Sequence, residues 1–272
     1  MEPTIITATD DADFCAQGVT CLKNGMTAAI ADHGRCILGL SGGSTPKPTY
    51  ETLGSMKIDW SKVWIFLVDD RYIRADDPNS NQFLLRSTLL KNAPIPESQI
   101  IFPDTSLPLS KCIDLYDRQI TDLLRRGPPD IVTVGMGDDG HIASLFPPLG
   151  DDAFGPKLAI HTTTPSTHST SSGSPRASRG ATNSRSGPAL GSEARARGEG
   201  PSGPRTAGQA PKFAVKDRIS VTLPVLTKAR QSVFFLKGPS KKAVWDDMMK
   251  SNEDERRWPA KALSVPTVIA QW

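Results

Sequence analysis

Four short stretches of the 272-residue sequence combine glycine with residues that can move a proton or hold an anion. The sharpest is Gly135-Met136-Gly137-Asp138-Asp139-Gly140-His141. Histidine suits general-base work near neutral pH, and Asp139, two residues earlier, can orient the His141 ring or raise its basicity. A second stretch is Ser41-Gly42-Gly43-Ser44-Thr45-Pro46. Gly42 and Gly43 let backbone N–H groups approach an anion, and Ser44 and Thr45 add hydroxyl donors. It is neither a Walker loop nor G-x-G-x-x-G, so it implies no nucleotide. A tight turn closed by a Ser/Thr cap fits the same residues.

The third stretch is Gly238-Pro239-Ser240-Lys241. A cation at a helix N-terminus opposes the helix dipole unless an anion is present. This favours a phosphate partner for Lys241, with a solvated lysine as the alternative, which suits Lys242 better. The fourth, Asp69-Asp70-Arg71, ends an apolar run. It reads either as an ion pair at a strand end or as Arg71 facing a phosphate or a developing oxyanion. His33, His161 and His168 have no setting comparable to that of His141.

The positions of these stretches follow from the elements around them. Apolar runs at Cys36–Leu40, Val63–Val68 and Asp130–Gly135 read as buried strands. Shorter strands are expected near Ile5-Ile6 and Ile100–Phe102, and later at Ile219–Leu223, Ser232–Leu236 and Thr267–Ala270. Helices are expected over Asp10–Asp32, capped by Asp10 or Asp11, after Pro46, over Asn81–Leu90, over Ser110–Arg126 and from near Lys241. Strand and helix thus alternate. The expected fold is α/β, three-layered, with a mainly parallel sheet and helices on both faces in the Rossmann-like manner. Ligands of such sheets bind at the carboxyl ends of the strands, where all four stretches fall.

Charge excludes several function classes. Thirty-two Lys and Arg against 29 Asp and Glu give a net charge of +3, too even to argue for a nucleic-acid or membrane-surface protein. Residues 166–210 differ from the rest. They hold 10 Ser, 8 Gly and 4 Pro, no aromatic residue, and a net charge of +4 from six arginines and two glutamates. This composition predicts an unstructured insertion, with a solvated His168, interrupting a single domain that spans 1–272. Six arginines without aromatic stacking partners give little support for RNA binding there. The longest apolar run has six residues, Val63–Val68, so no membrane helix is expected. No secretory signal is visible at the N-terminus. Cys15, Cys21, Cys36 and Cys112 show no metal-like spacing, Cys36 reads as a small core residue, and free thiols fit a cytoplasmic location.

Taken in order, the motifs resemble those of the 6-phosphogluconolactonases, whose wider superfamily includes the glucosamine-6-phosphate deaminases and isomerases. The residues carrying the resemblance are Leu40–Pro46, Val68–Arg71, Asn79–Asn81, Gly137–Pro147, Arg218–Leu223 and Gly238–Lys241, across most of 1–165 and 212–265. Two positions depart from the family pattern: Asp70 stands where Glu is usual, and Ile142 where Thr is usual. The resemblance implies hydrolysis of 6-phospho-D-glucono-1,5-lactone to 6-phosphogluconate, the second step of the oxidative pentose phosphate pathway. It implies a small sugar-phosphate substrate and no metal or organic cofactor. His141 would take a proton from water, and Arg71 would meet the oxyanion or help hold the phosphate. Gly42, Gly43, Ser44, Thr45 and Lys241 would grip the phosphate, with Arg218 a further phosphate contact. Asp69 and Asn81 would shape the pocket.

Two other readings compete. A deaminase of the same superfamily typically continues after the histidine with Ala-Phe-Asn-Glu-Pro. This chain has Ala143-Ser144-Leu145-Phe146-Pro147, without the acid that isomerisation would use. The second is a sugar-phosphate-binding protein without catalytic activity.

Overall fold

A computed structural model describes residues 2–165, 215–263 and 266–272. The expected unstructured insertion at 166–210 and its His168 lie outside the described residues. The residues on either side of that segment fold as one unit.

The unit is built on a seven-stranded sheet whose neighbouring strands all run parallel. In chain order its strands are β1 (Thr4–Thr7), β2 (Cys36–Leu40), β3 (Val63–Leu67), β5 (Ile100–Ile101), β6 (Ile131–Val134), β9 (Gln231–Lys237) and β10 (Pro266–Gln271). In space they run β1-β10-β9-β6-β2-β3-β5. A second, antiparallel sheet has the order β4 (Asp69–Arg71), β8 (Asp217–Val221), β7 (Ala159–Thr163). Val68 joins the two sheets. Its N–H continues the β2 ladder by donating to the Leu40 carbonyl (3.0 Å), while its own carbonyl accepts the Val221 N–H (2.9 Å).

The helices are α1 (Asp11–His33), α2 (Lys47–Gly54), α3 (Asn81–Ser87), α4 (Leu89–Asn92), α5 (Leu109–Leu124), α6 (Leu223–Thr227) and α7 (Pro239–Lys250). Two separate apolar clusters show that both faces of the large sheet are covered. One joins Leu38, Leu40, Ile65 and Phe235 to α1 and α2 through Phe14, Leu22, Met26, Tyr50 and Leu53. The other joins Ile37, Phe66, Val132 and Phe234 to α5 and α7 through Tyr116, Ile120, Trp245 and Met248. Ile37 and Leu38 are successive residues on opposite faces, the period-2 alternation of a strand buried on both sides. The three-layer α/β expectation therefore holds. Cys36 is buried in the core as expected.

The N-terminus of α1 is capped by the Asp10 carboxylate, which accepts the Asp13 N–H at 2.8 Å. At the amino edge of the large sheet, Asp130 draws several elements together. Its carboxylate accepts the Ile37 N–H (2.8 Å) and lies 2.9 Å from His33 Nε2 and 3.3 Å from Arg230 Nε. A buried carboxylate is stable only when paired in this way.

Several local expectations need correction. Asp69–Arg71 is not a polar end to the preceding strand but a strand of the second sheet. The Asn81–Leu90 helix is two helices, broken at Thr88, whose φ of −120° and ψ of −90° are not helical. The Ile219–Leu223 run ends as a strand at Val221, and Leu223 opens α6. The last main helix begins at Pro239, which places Lys241 inside its first turn. The strand at Ala159–Thr163 has no counterpart among the sequence expectations. No helix among the described residues is long and apolar enough to cross a membrane.

Candidate active site

The strands carrying the four motifs, β9, β6, β2 and β3, are consecutive neighbours, so their carboxyl ends line one edge of the sheet. From β2 the chain moves toward β3, and from β6 toward β9. The strand order therefore reverses between β2 and β6, and the crevice where ligands bind such sheets opens there. The Ser41–Thr45 loop stands on one side of it and the Gly135–His141 loop on the other.

The first loop is anchored from below. Thr133, a hydroxyl inside an otherwise apolar strand, accepts the Ser41 N–H at 2.9 Å and lies 2.7 Å from the Tyr50 hydroxyl. The Tyr50 hydroxyl donates to the Ser41 carbonyl at 3.0 Å. Burial pushes the Tyr50 phenol up to about 12, so it remains a donor at neutral pH. Gly42 has no room for a side chain, because a Cβ there would fall on the Asn81 amide. A cavity of about 140 Å³ opens above this loop, lined by Ser41, Gly42, Gly43, Thr45, Lys237 and Lys241 among others. Ser44 is exposed and does not line it. Lys237 and Thr133 were not among the sequence candidates. A polar residue inside a buried strand was the one signal that could have singled out Thr133.

The second loop is a turn closed by the Gly140 N–H on the Gly137 carbonyl (3.0 Å). Gly140 holds a φ of +88°, in the left-handed region. His141 Nδ1 lies 2.5 Å from Asp139 Oδ1, and the His141 N–H donates to the same oxygen at 3.2 Å. Burial works against ionisation of Asp139, but the His141 hydrogen bond and charge outweigh it and hold its carboxyl below the ordinary value. Phe146 packs against the imidazole, with ring centroids 4.6 Å apart. His141 Nε2 has no hydrogen-bond partner among the described residues. With the Nδ1 proton directed at the carboxylate, the Nε2 lone pair is the basic one.

Beyond the histidine the chain is pinned to the small sheet. Ser144 Oγ donates to Asp69 Oδ2 (2.7 Å), the Ser144 N–H donates to Ser220 Oγ (3.3 Å), and the Ser144 carbonyl accepts Thr162 Oγ1 (2.7 Å). Ser144 thus touches every strand of that sheet. Ile142, in the position where the family usually has Thr, is fully buried in the apolar cluster on the α5 face.

Lys241 does not stand free at its helix terminus. Its Nζ lies 2.7 Å from Asp138 Oδ1, which ties α7 to the histidine turn. Lys242 pairs with Asp246 one helical turn on (2.6 Å) and is half-exposed, as a surface lysine should be. His33 and His161, which the sequence left without a setting, do have carboxylate partners. The fold brings Asp130 to His33, and Asp217 to His161 at 2.8 Å, through pairings distant in sequence.

Asp70 turns away from the crevice and is fully buried. It receives the N–H groups of Arg71 (2.8 Å), Asn81 (2.7 Å) and Gln82 (3.2 Å) and the Ser80 hydroxyl (3.0 Å), so it seats the N-terminus of α3. Burial nevertheless raises its carboxyl to about 6. Arg71 donates to the Asn79 carbonyl (2.5 Å) and to Asn81 Oδ1 (3.4 Å). Asn81 also donates to the Asp69 carbonyl (2.8 Å), so it links Arg71, Asp69 and the glycine loop. Arg218 is only 5% exposed, and its Nη1 has no hydrogen-bond partner among the described residues. Burial, then the nearby Arg71 charge, draws its guanidinium below the ordinary value, against the pull of Asp69 and Asp70.

The candidates thus form two groups. Gly42, Gly43, Thr45 and Lys241 share the cavity, while Asp69, Arg71 and Arg218 share the small sheet, and neither His141 nor Asp139 lines the cavity. Asn81, Asp138 and Ser144 connect these parts. The arrangement offers a base with an open lone pair, cationic groups on two sides and backbone donors between them. Among the described residues no cluster of His, Cys, Asp and Glu is suited to hold a metal ion.

Residues 9–178 and 203–270 match the sequence-family model described as glucosamine-6-phosphate isomerases/6-phosphogluconolactonase. A probable 6-phosphogluconolactonase of Dictyostelium discoideum is 36% identical over 251 residues, covering 89% of this chain and 85% of the relative. The crystal structure of 6-phosphogluconolactonase from Thermotoga maritima superposes with a TM-score of 0.73 at 23% identity, covering 99% of both chains. A monomeric glucosamine-6-phosphate deaminase superposes with a TM-score of 0.72 at 15% identity, covering 98% of this chain and 97% of the other. These two structural likenesses establish the fold, and that fold carries both activities.

Proposed function

Because the chain belongs to the glucosamine-6-phosphate isomerase/6-phosphogluconolactonase family, we propose that it hydrolyses 6-phospho-D-glucono-1,5-lactone to 6-phospho-D-gluconate, within the oxidative pentose phosphate pathway. It is an enzyme, a hydrolase of a sugar-phosphate lactone. The observation that carries the mechanism is the Asp139–His141 contact, which engages Nδ1 and leaves Nε2 open. In this reading Nε2 takes a proton from water as the water oxygen attacks C1. The carbonyl oxygen becomes an oxyanion facing the Arg71 guanidinium. Collapse of the intermediate breaks the bond from C1 to the ring oxygen, and the proton on His141 passes to that oxygen.

The phosphate is assigned to the cavity, with backbone N–H groups of the Gly42–Thr45 loop and Lys241 as its partners. Holding this remote group keeps the lactone beside His141 in ground state and transition state alike. Ser44 enters through its backbone rather than its exposed side chain. Arg218 and Asp69 are assigned to the pocket wall beside Arg71. Residues 142–147 contain no ionisable side chain to assist a second proton transfer, which favours lactone hydrolysis over deamination.

The test is lactone hydrolysis above the spontaneous rate, measured beside ammonia release from glucosamine 6-phosphate. Accelerated lactone opening without ammonia supports the reading, and the reverse pattern overturns it. Binding of 6-phosphogluconate without acceleration would make the chain a binding protein. The same assay on a chain lacking 166–210 tests the proposal that one enzyme domain is interrupted by that segment.

A further inference from the structure

The segment that follows α7 reaches back to the histidine turn. Arg257 Nη1 donates to the Asp139 carbonyl at 2.9 Å. The same guanidinium lies over the Trp258 ring, 3.8 Å from its centroid, and Trp258 is only 5% exposed. Trp258 also abuts Gly140, where an added Cβ would meet ring carbon Cζ3 at 2.6 Å and Arg257 Nη1 at 3.1 Å. The segment is itself anchored. The Arg257 and Trp258 N–H groups donate to the Asp254 carbonyl (3.2 and 2.8 Å), and the Arg256 carbonyl accepts the Leu149 N–H (2.8 Å).

The carbonyl that Arg257 holds belongs to the Asp139–Gly140 peptide. With a left-handed glycine on one side, such a peptide can rotate as a unit and exchange one turn type for another. Rotation would carry the Asp139 carbonyl away, break the bond that closes the turn and loosen the backbone from which the Asp139 carboxylate reaches His141 Nδ1. Inside the turn the Gly140 N–H, which belongs to the same peptide, opposes it through its bond to the Gly137 carbonyl, and Arg257 adds a second restraint from outside. A charged donor lying over a buried ring is a rigid brace, since a guanidinium can stack and also donate in its own plane. We infer that Arg257 is a positioning residue, which locks the Asp139–Gly140 peptide and thereby keeps the Asp139 carboxylate on His141. This rests on the proposed role of His141 and extends it to a residue about 116 positions further along the chain.

The experiment is steady-state lactonase kinetics on full-length Arg257→Gln and Arg257→Lys beside the unaltered protein, with the His141 Nδ1 proton followed by NMR. The expected result for Arg257→Gln is a kcat lowered about tenfold with KM within about twofold, since misplacing a reacting group costs rate rather than affinity. The hydrogen-bonded Nδ1 proton signal should broaden or vanish. Arg257→Lys, which keeps a charged donor but not the planar guanidinium, should recover part of both. If Arg257→Gln proves too unstable, Trp258→Phe, which keeps an aromatic platform, should give a smaller kcat loss in the same direction. An unchanged kcat with an intact Nδ1 signal overturns the inference, as does a rise in KM alone. Should the unaltered protein lack lactonase activity, the functional reading fails, and the NMR comparison still decides the role of Arg257.

Discussion

Arg71 on β4 and Arg218 on β8 are direct partners across the antiparallel ladder, so two guanidinium groups share one face of the small sheet. Arg71 is satisfied by Asn79 and Asn81, whereas Arg218 Nη1 is buried without a hydrogen-bond partner among the described residues. Like charges set side by side at such a cost are what an anionic substrate would relieve.

Arg218→Met should therefore separate stability from activity. Thermal unfolding of the protein without substrate should show a higher Tm, by the equivalent of about 1–2 kcal/mol, since an apolar side chain replaces a buried guanidinium whose Nη1 has no hydrogen-bond partner among the described residues. The same variant should lose at least about tenfold in kcat/KM. A lower Tm would mean that Arg218 supports the fold and is not held in readiness for a ligand.

His141→Ala should lower kcat by roughly 10²–10⁴ with the fold intact, the range expected for loss of a general base. Circular dichroism and the lactonase assay together check this. Near-normal turnover would remove His141 from the chemistry. Asp139→Asn, which keeps the shape but not the charge beside Nδ1, should lose less.

Lys241→Ala should raise KM by about tenfold and leave kcat within about twofold, the pattern of a group that binds ground state and transition state alike. Steady-state kinetics read the split directly. An unchanged KM would place the phosphate elsewhere.

Asp70→Asn should remove a pH dependence. Burial raises the Asp70 carboxyl from its ordinary 3.8 to about 6. Between those values the folded state binds a proton that the unfolded state does not. The stability contributed by this group is therefore present at low pH and is lost as pH rises through about 6. Denaturant unfolding should show the unaltered protein losing about 2–3 kcal/mol relative to Asp70→Asn between pH 4 and pH 7. A difference independent of pH would mean that its four donors keep Asp70 ionised throughout.

What could be read from the sequence, and what could not, divides on physical lines. Cys36–Leu40 and Val63–Leu67 were legible because strands buried on both faces must be continuously apolar. The motif loops were legible because glycine and polar residues at a strand end have few other uses. Ala159–Thr163 escaped notice because it is partly exposed and includes His161, so it shows no apolar run. Leu223 was read as strand because it prolongs the apolar Ile219–Val221, although the chain turns there into α6. Within the site, Thr133, Asp138 with Lys241, and Arg257 acquire meaning only from register and packing between distant residues. Local sequence marks Thr133 as polar within an apolar strand and Lys241 as a cation near a helix start, but holds no trace of their partners. Asp70, which stands where the family usually has Glu, seats α3, and only the fold reveals that contact.

The crevice between β2 and β6 also bears on when the protein can act. Its glycine loop, Arg71 and histidine turn all precede residue 165, but Arg218 and Lys241 arrive on strands and helices that follow residue 214. Strand β6 gains its second sheet neighbour only when β9 forms. A growing polypeptide that has emerged only as far as residue 165 holds the proposed base but lacks two of the cations assigned to the substrate. Competence to bind and to turn over would then come together, once β8, β9 and α7 are in place, with no earlier stage at which the emerging polypeptide holds substrate unproductively.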